Sequence, residues 1–250
     1  MSKLVLDSES LARALSLRDL TDAAHGAHAL QLIVRDLTRA LTDAWHCAAL
    51  VHRSNPVVSV ADNYDRLHYP PDGAARDARY TRYVSDDTLL RTQTSAAIPP
   101  LLRKLANAPL RDVLLVCPGL VYRRDTIDRA HTGEPHQLDL WRIRRGPALS
   151  STDLHEMIET ATRSVLPGCA WRCTPAEHPY TNNGLQIDVR VRQEWLEIGE
   201  CGLALPEILL EAGLDADQSG LAMGLGLDRV LMLRKGIDDI RLLRSADPRV

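Results

Sequence analysis

One stretch limits the possible folds of this chain more than any other. Between His28 and Trp45, the residues Leu30, Ile33, Val34, Leu37 and Leu41 recur at i, i+3, i+4 and i+7. That is the helical period, so the segment is predicted as one long helix with a single apolar stripe. Such a stripe has to be covered by a partner surface. Strand signals follow it: Ala48 to Val51, stopped by Asn55-Pro56, then Val113 to Val116, Leu120 to Arg124 after a turn at Pro118-Gly119, and Gln137 to Ile143 antiparallel to it. Leu185 to Val191 and Glu194 to Glu200 alternate as a hairpin, and Gly220 to Gly226 reads as a Gly-rich strand. Further helices are predicted near Ser95 to Ala106, Thr152 to Val165 with Ser151 or Thr152 as cap, Pro206 to Ala212, and Asp228 to Lys235 closed by Gly236. Residues 61–88 are polar and aperiodic and read as a long loop. The expected fold class is α+β, an antiparallel β-sheet flanked by helices. Residues 1–27 form an N-terminal helical extension, with a short helix over 7–24, and 28–250 one domain.

Charge removes some functions. With 30 Lys+Arg against 33 Asp+Glu the net charge is -3, without the basic excess that gripping nucleic acid alone would call for. The local run Arg142-Ile143-Arg144-Arg145 is expected to be a solvated loop. Charges interrupt the leucines of the first twenty residues, so no membrane span or signal is predicted there. Five cysteines without regular spacing fit a reducing compartment, and the expected location is cytoplasmic. Cys169, Cys173 and His178 do not have the spacing of a zinc site and read as ordinary side chains.

Three segments then fall in a telling order. The long helix, strand and Pro56 come first; Val121-Tyr122-Arg123-Arg124-Asp125, a loop and His136-Gln137-Leu138-Asp139 follow; Gly224-Leu225-Gly226-Leu227-Asp228-Arg229 closes the series. Together they resemble motifs 1, 2 and 3 of the class II aminoacyl-tRNA synthetases. More of the wording is similar to the alpha, catalytic, subunits of phenylalanyl-tRNA synthetases: Leu89 to Ser95, Pro118-Gly119-x-Val121-Tyr122-Arg123, Trp195-Leu196-Glu197-Ile198, Cys201-Gly202, and Ser219 to Leu243. The resemblance runs from about residue 28 to the end and implies the class II synthetase catalytic fold.

The resemblance implies that the chain joins ATP and an amino acid into an aminoacyl-adenylate, with Mg²⁺, for transfer to a tRNA, a carrier protein or a small-molecule acceptor. Arg123 would bridge the α-phosphate and the substrate carboxylate, and Arg229 would hold the γ-phosphate; a planar guanidinium suits both. Glu197 would help hold Mg²⁺, Asp125 and His131 would contact ATP, and Gly224 and Gly226 would let backbone lie against adenine. Ser95, Gln137 and Asp139 would face the α-amino group, supplying acceptor oxygens to an ammonium. His178, Tyr180 and Ala222 would line the amino-acid side chain.

The chain also departs from that family. Its Phe-Pro-Phe-Thr-Glu-Pro loop is His178-Pro179-Tyr180-Thr181-Asn182-Asn183 here, so a wall histidine favours a substrate able to hydrogen-bond. Pro135 replaces an adenine-stacking Phe, and Gln186 replaces a Glu. The alternative to an adenylating enzyme is a non-catalytic paralogue that binds amino acid, nucleotide or RNA as a regulator. As motif 1 builds dimers in this class, a homodimer through residues 28–56 is expected, or a pairing with a beta-type subunit if tRNA is the acceptor.

Overall fold

The computed structural model describes residues 4–108, 111–124, 127–129 and 131–244. Helices span Ser8–Leu15 (α1), Ala29–Trp45 (α2), Val60–Asn63 (α3), Ile98–Leu105 (α4), Ser151–Val165 (α5), Pro206–Glu211 (α6) and Leu227–Lys235 (α7). Strands span Ala48–Val51 (β1), Val57–Ser59 (β2), Thr88–Leu90 (β3), Asp112–Leu120 (β4), His136–Arg145 (β5), Trp171–Pro175 (β6), Thr181–Val191 (β7), Glu194–Ala204 (β8) and Gln218–Gly226 (β9). Seven strands form one sheet in the order β1-β4-β5-β9-β8-β7-β6, antiparallel except for the β1–β4 pair; β2 and β3 make a small ribbon.

Alternation along the strands gives the sheet two apolar faces. On one face Leu114, Val116, Leu138, Leu140, Leu221, Met223 and Leu225 pack beneath α2, α5 and α7. On the other, Val113, Leu115, Trp141, Ile143 and Ala222 meet α4 and α6. Those two short helices cover only one end of their face. The other end is left for the cavity described below.

The α2 stripe is buried inside the chain: Leu30, Ile33, Leu37 and Leu41 are all at or below 1% exposure, against the sheet, α5 and α7. The expectation that a second subunit must cover it is therefore corrected. A helix stripe of this width is satisfied by a sheet of the same chain, and the sequence alone could not say which partner it had.

Other expectations need correction as well. Residues 61–88 are not a loose loop. They hold α3, two short 3₁₀ turns and the buried Tyr64, Leu67 and Tyr83. Their apolar groups are mostly irregularly spaced rings, to which a period test is blind. The tyrosines are anchored by polar tips: Tyr64 Oη donates to the Ala75 carbonyl at 2.6 Å and Tyr83 Oη to that of Arg76 at 2.7 Å. Pro118-Gly119 is not a turn either; β4 runs straight through, with Pro118 opposite Leu138 and Gly119 opposite Gln137. The neighbouring β1 stops at Val51, opposite Val116, so the missing N–H of Pro118 falls where that side of β4 has no strand partner. The cap of α5 is Ser150, in a capping box with Asp153. The basic run lies on β5, not in a loop. Arg142 is buried, donating to Asp112 from Nε (3.0 Å) and Nη2 (2.7 Å), and Arg145 pairs with Asp215 and Asp217. Acids within the chain thus neutralise much of this run. Cys173 stands on β6.

Gly119 permits a close approach. A Cβ there would lie 2.0 Å from Nη2 of Arg91, whose guanidinium is itself buried and tied to the Leu120 carbonyl at 2.7 Å and Ser54 Oγ at 2.8 Å. Gly119→Ala is therefore expected to cost about 2 kcal/mol by expelling Arg91 from its site. A chemical-denaturation midpoint equal to that of the parent would contradict this.

Candidate functional site

The uncovered end of the sheet carries a cavity of about 620 Å³. Its floor is made by β5, β8 and β9, which present Gln137, Asp139, Glu197, Glu200, Gly224 and Gly226. Its rim comes from the 64–95 segment and the loop before β5, with Tyr69, Tyr80, Arg123 and His131 among the lining residues. The cross-strand register explains the floor. Asp139, Gly224, Glu200 and Gln186 lie in one row, each opposite the next. Glu197 belongs to the same face only because of an irregularity. Residues three apart on a strand face opposite ways. Here the β7–β8 register slips between Ile187/Gly199 and Asp188/Glu197, a bulge that turns Ile198 into the core and brings Glu197 to the same cavity as Glu200.

At one end of the cavity lies a polar cluster under aromatic rings. Asp139 is buried and accepts from Thr94 Oγ1 and Ser95 Oγ, both at 2.7 Å. Burial pushes its carboxyl above the ordinary value, against the pull of those two hydroxyls. Tyr180 stacks on Trp141 at 5.8 Å between centroids and leans toward Tyr69 at 6.2 Å. Tyr69 Oη donates to Gln93 Oε1 at 2.7 Å, and burial raises both phenols well above their usual range.

The other end carries two arginines, Arg123 and Arg229. Arg123 donates from Nε to the Thr92 carbonyl at 2.8 Å and its guanidinium lies 5.8 Å from the Tyr80 ring centroid. Among the described residues no carboxylate is in ion-pair reach of it. Arg229 stands in the first turn of α7. Its Nη1 donates to the Glu197 carbonyl at 3.1 Å and lies 3.6 Å from Glu197 Oε2, and its Nη2 is 2.9 Å from His131 Nε2. His131 in turn meets Asp128 through Nδ1 at 2.9 Å. Burial pushes the Glu197 carboxyl up; Arg229 pulls it down, and Glu200 and Asp188 push further.

The structure thus brings Ser95, Arg123, His131, Gln137, Asp139, Tyr180, Glu197, Gly224, Gly226 and Arg229 to a single cavity. Asp125 lies outside the described residues. Ala222 and His178 are placed behind the cavity rather than on its surface. Ala222 is buried in the second core beside Trp141, because its position on β9 faces α4 and α6. His178 is turned toward β8, its Nε2 2.7 Å from Glu200 Oε2 and its side chain 10% exposed. The residue expected to line the substrate's side chain therefore stands behind the cavity, against the Glu200 carboxylate. Glu200, Tyr69, Gln93 and Tyr80 escaped the sequence reading. Tyr69 and Tyr80 lie in the aperiodic 61–88 stretch, and only the pairing of Glu200 with Gly224 shows that Glu200 faces the cavity.

Among the described residues there is no group of three or more His, Cys, Asp or Glu side chains placed to hold a metal alone. Glu197 faces the cavity and is a carboxylate that could serve as one ligand of a magnesium ion otherwise held by phosphate oxygens. No helix among the described residues is long and apolar enough to cross a membrane.

The likeness to known proteins is clear at this point. Residues 19–250 match the family described as tRNA synthetases class II core domain (F). The phenylalanine–tRNA ligase alpha subunit of Prochlorococcus marinus (strain MIT 9313) is 37% identical over 188 residues, 75% of this chain and 54% of that protein. The corresponding subunit of Nostoc punctiforme (strain ATCC 29133 / PCC 73102) is 35% identical over 188 residues, 75% of this chain and 55% of that protein. The chain spans about half the length of these relatives. The crystal structure of pyrrolysyl-tRNA synthetase from Desulfitobacterium hafniense superposes with a TM-score of 0.66 at 18% identity, covering 87% of this chain and 74% of that one, which shows a shared fold. The matched span, the sheet topology and the two arginines on one cavity agree, and the chain belongs to the class II tRNA synthetase core domain (F) family.

Proposed function

We propose that this chain activates an amino acid with ATP, forming an aminoacyl-adenylate and pyrophosphate. The observation that carries this reading is Arg123: a guanidinium held on the cavity by a carbonyl and a ring, with no carboxylate partner among the described residues, beside the carboxylate-and-hydroxyl cluster of Asp139, Thr94 and Ser95. An arginine facing a cavity without an acid calls for an anion. Attack of a carboxylate oxygen on the α-phosphorus joins two anions, so a fixed cation at that point lowers the barrier most. Arg229 supplies a second cation at the mouth of α7, where the helix N-terminus also favours phosphate. Glu197 would be the protein ligand of a Mg²⁺ carried otherwise by phosphate oxygens, which when bound would supply charge neutralisation to the leaving pyrophosphate. Ser95, Gln137 and Asp139 hold the α-ammonium, and the tyrosine rings exclude water from the side chain.

Gly224 and Gly226 leave room for a flat ring. A Cβ built at Gly224 meets nothing within 4 Å, whereas one at Gly199 would come within 2.2 Å of the Gly224 carbonyl. Gly224→Ala is thus expected to leave the melting temperature unchanged or slightly raised while weakening ATP binding about tenfold or more. Equal ATP affinity by calorimetry in that variant would remove the glycine from the nucleotide site.

The acceptor of the activated amino acid is a tRNA, a carrier protein or a small amine. A homodimer, or a pairing with a beta-type subunit, would use the 28–56 region. There β1 is exposed along its whole length at the sheet edge, with Leu32 and Val51 also outside. Binding without catalysis is the second reading, favoured by Gln186, which donates to Asp188 at 2.7 Å where the resembling family has an acid. Amino-acid-dependent ATP–pyrophosphate exchange separates the two. Exchange with at least one amino acid establishes activation; ATP binding without exchange across a full panel sinks it in favour of the binding reading.

A further inference from the structure

The geometry points to a substrate with a second positive charge: a basic amino acid such as lysine, ornithine or arginine, its side-chain cation received by Glu200. This inference rests on the activation reading above.

The floor row places two carboxylates on either side of an open glycine. Asp139 pairs with Gly224, and Gly224 pairs with Glu200. Two strand spacings put their backbones about 9.5 Å apart. Between them a Cβ at Gly224 would meet nothing within 4 Å, so no side chain of the floor screens the two carboxylates from each other. Asp139 lies at the end occupied by Ser95 and Thr94, where the activation reading seats the α-ammonium. An amino acid oriented by Asp139 and by Arg123 on its carboxylate would run its side chain along Tyr180, whose ring stands 6.0 Å from that of His178, toward Glu200, clear of the nucleotide ring over Gly224.

Glu200 is equipped for this role. Its side chain is 42% exposed on a face that opens into the cavity, and it is partnered among the described residues only by His178. The contact is made by one carboxylate oxygen, Oε2, at 2.7 Å from His178 Nε2, out of line for a regular hydrogen bond. It leaves Oε1 without a contact to His178. His178 is itself fixed from behind, with Thr181 Oγ1 at 3.4 Å from Nδ1 and Gly184 leaving it space. A carboxylate set among Glu197, Glu200 and Asp139, on a wall with Tyr180 and Tyr69 rather than plain hydrocarbon, repels a purely apolar or acidic side chain and attracts a cation. The phenol rings would pack along the methylene stem.

The test is ATP–pyrophosphate exchange by the full chain with lysine, ornithine, arginine, phenylalanine and norleucine, the last matching lysine's stem without its ammonium. It is run on the parent and on Glu200→Gln, over a range of Mg²⁺ concentrations. The expected result is a preference for a basic amino acid over norleucine of about 10- to 100-fold in kcat/KM, the value of a charge-assisted hydrogen bond, which Glu200→Gln erases. Exchange favouring phenylalanine or norleucine overturns the inference and leaves activation standing. Exchange with none of the five or of the other standard amino acids fails the activation reading, and the inference with it. A Glu200→Gln variant that keeps the preference and needs more Mg²⁺ assigns Glu200 to the metal and also overturns it. Should that variant fail to fold, the parent's preference alone decides, supported by a rise in melting temperature with lysine that norleucine does not give.

Discussion

Arg123→Ala is expected to lower amino-acid-dependent exchange by about 10³-fold, roughly 4 kcal/mol of transition-state stabilisation, the cost of removing a preorganised donor at a developing charge. Stability should scarcely follow, since folding loses one hydrogen bond to the Thr92 carbonyl in a half-buried place, about 1 kcal/mol. That split between activity and stability is the signature of a cation kept for a ligand. Arg123→Lys should recover little, because an ammonium cannot reproduce the planar fork across two anions. The two readouts are pyrophosphate exchange and a thermal melt on the same preparations. A folded Arg123→Ala enzyme exchanging at the parental rate would remove this residue from the chemistry, and the activation reading would lose its main support.

Asp228→Ala should do the reverse first, costing about 3 kcal/mol of stability. Asp228 is buried and accepts from both the backbone N–H and Nδ1 of His136, the latter at 3.0 Å. His136 has no exposure, and its Nε2 accepts from the backbone N–H of Leu20 at 3.0 Å. With Nε2 acting as acceptor, the ring proton must sit on Nδ1 and point at Asp228. Alanine at 228 would leave two donors in the interior without an acceptor, each at a substantial desolvation cost. The same three groups tie the start of β5 and the first turn of α7 to the N-terminal segment, and Arg229 is the next residue of that turn. Loss of the network should therefore also loosen Arg229 and weaken nucleotide binding. Asp228→Asn keeps one acceptor and should cost less. A urea midpoint for Asp228→Ala within about 0.5 kcal/mol of the parent would show that the network is not stabilising.

Much of the fold was legible because its signals are local. The α2 stripe, the hairpin of β7 and β8, β9 with its glycines, and the stop at Gly236 each announce themselves within a few residues, and the helix and strand periods leave little choice. The motif order around Arg123 and Arg229 likewise pointed to the class II family, and the matched span from residue 19 shows the chain's membership. Less legible were features whose cause is distant in sequence. Tyr69 reaches the site through Gln93, and Tyr64 through Thr92, from a stretch with no period. Pro118 looks like a turn until β1 is seen to end before it.

Periodicity determined most of the helices and strands, while the roles expected of Arg123, Arg229, Ser95 and Asp139 came from the resemblance of their motifs to the class II family. Which face each residue meets was settled by pairing between strands far apart in the chain. The bulge at Ile198 turns Glu197 and Glu200 to one side, and His178, which looked like a wall of the pocket, stands behind Glu200 instead. A strand's phase is a global property: one extra residue in one strand inverts every face beyond it, and only the register with β7 shows where that happens.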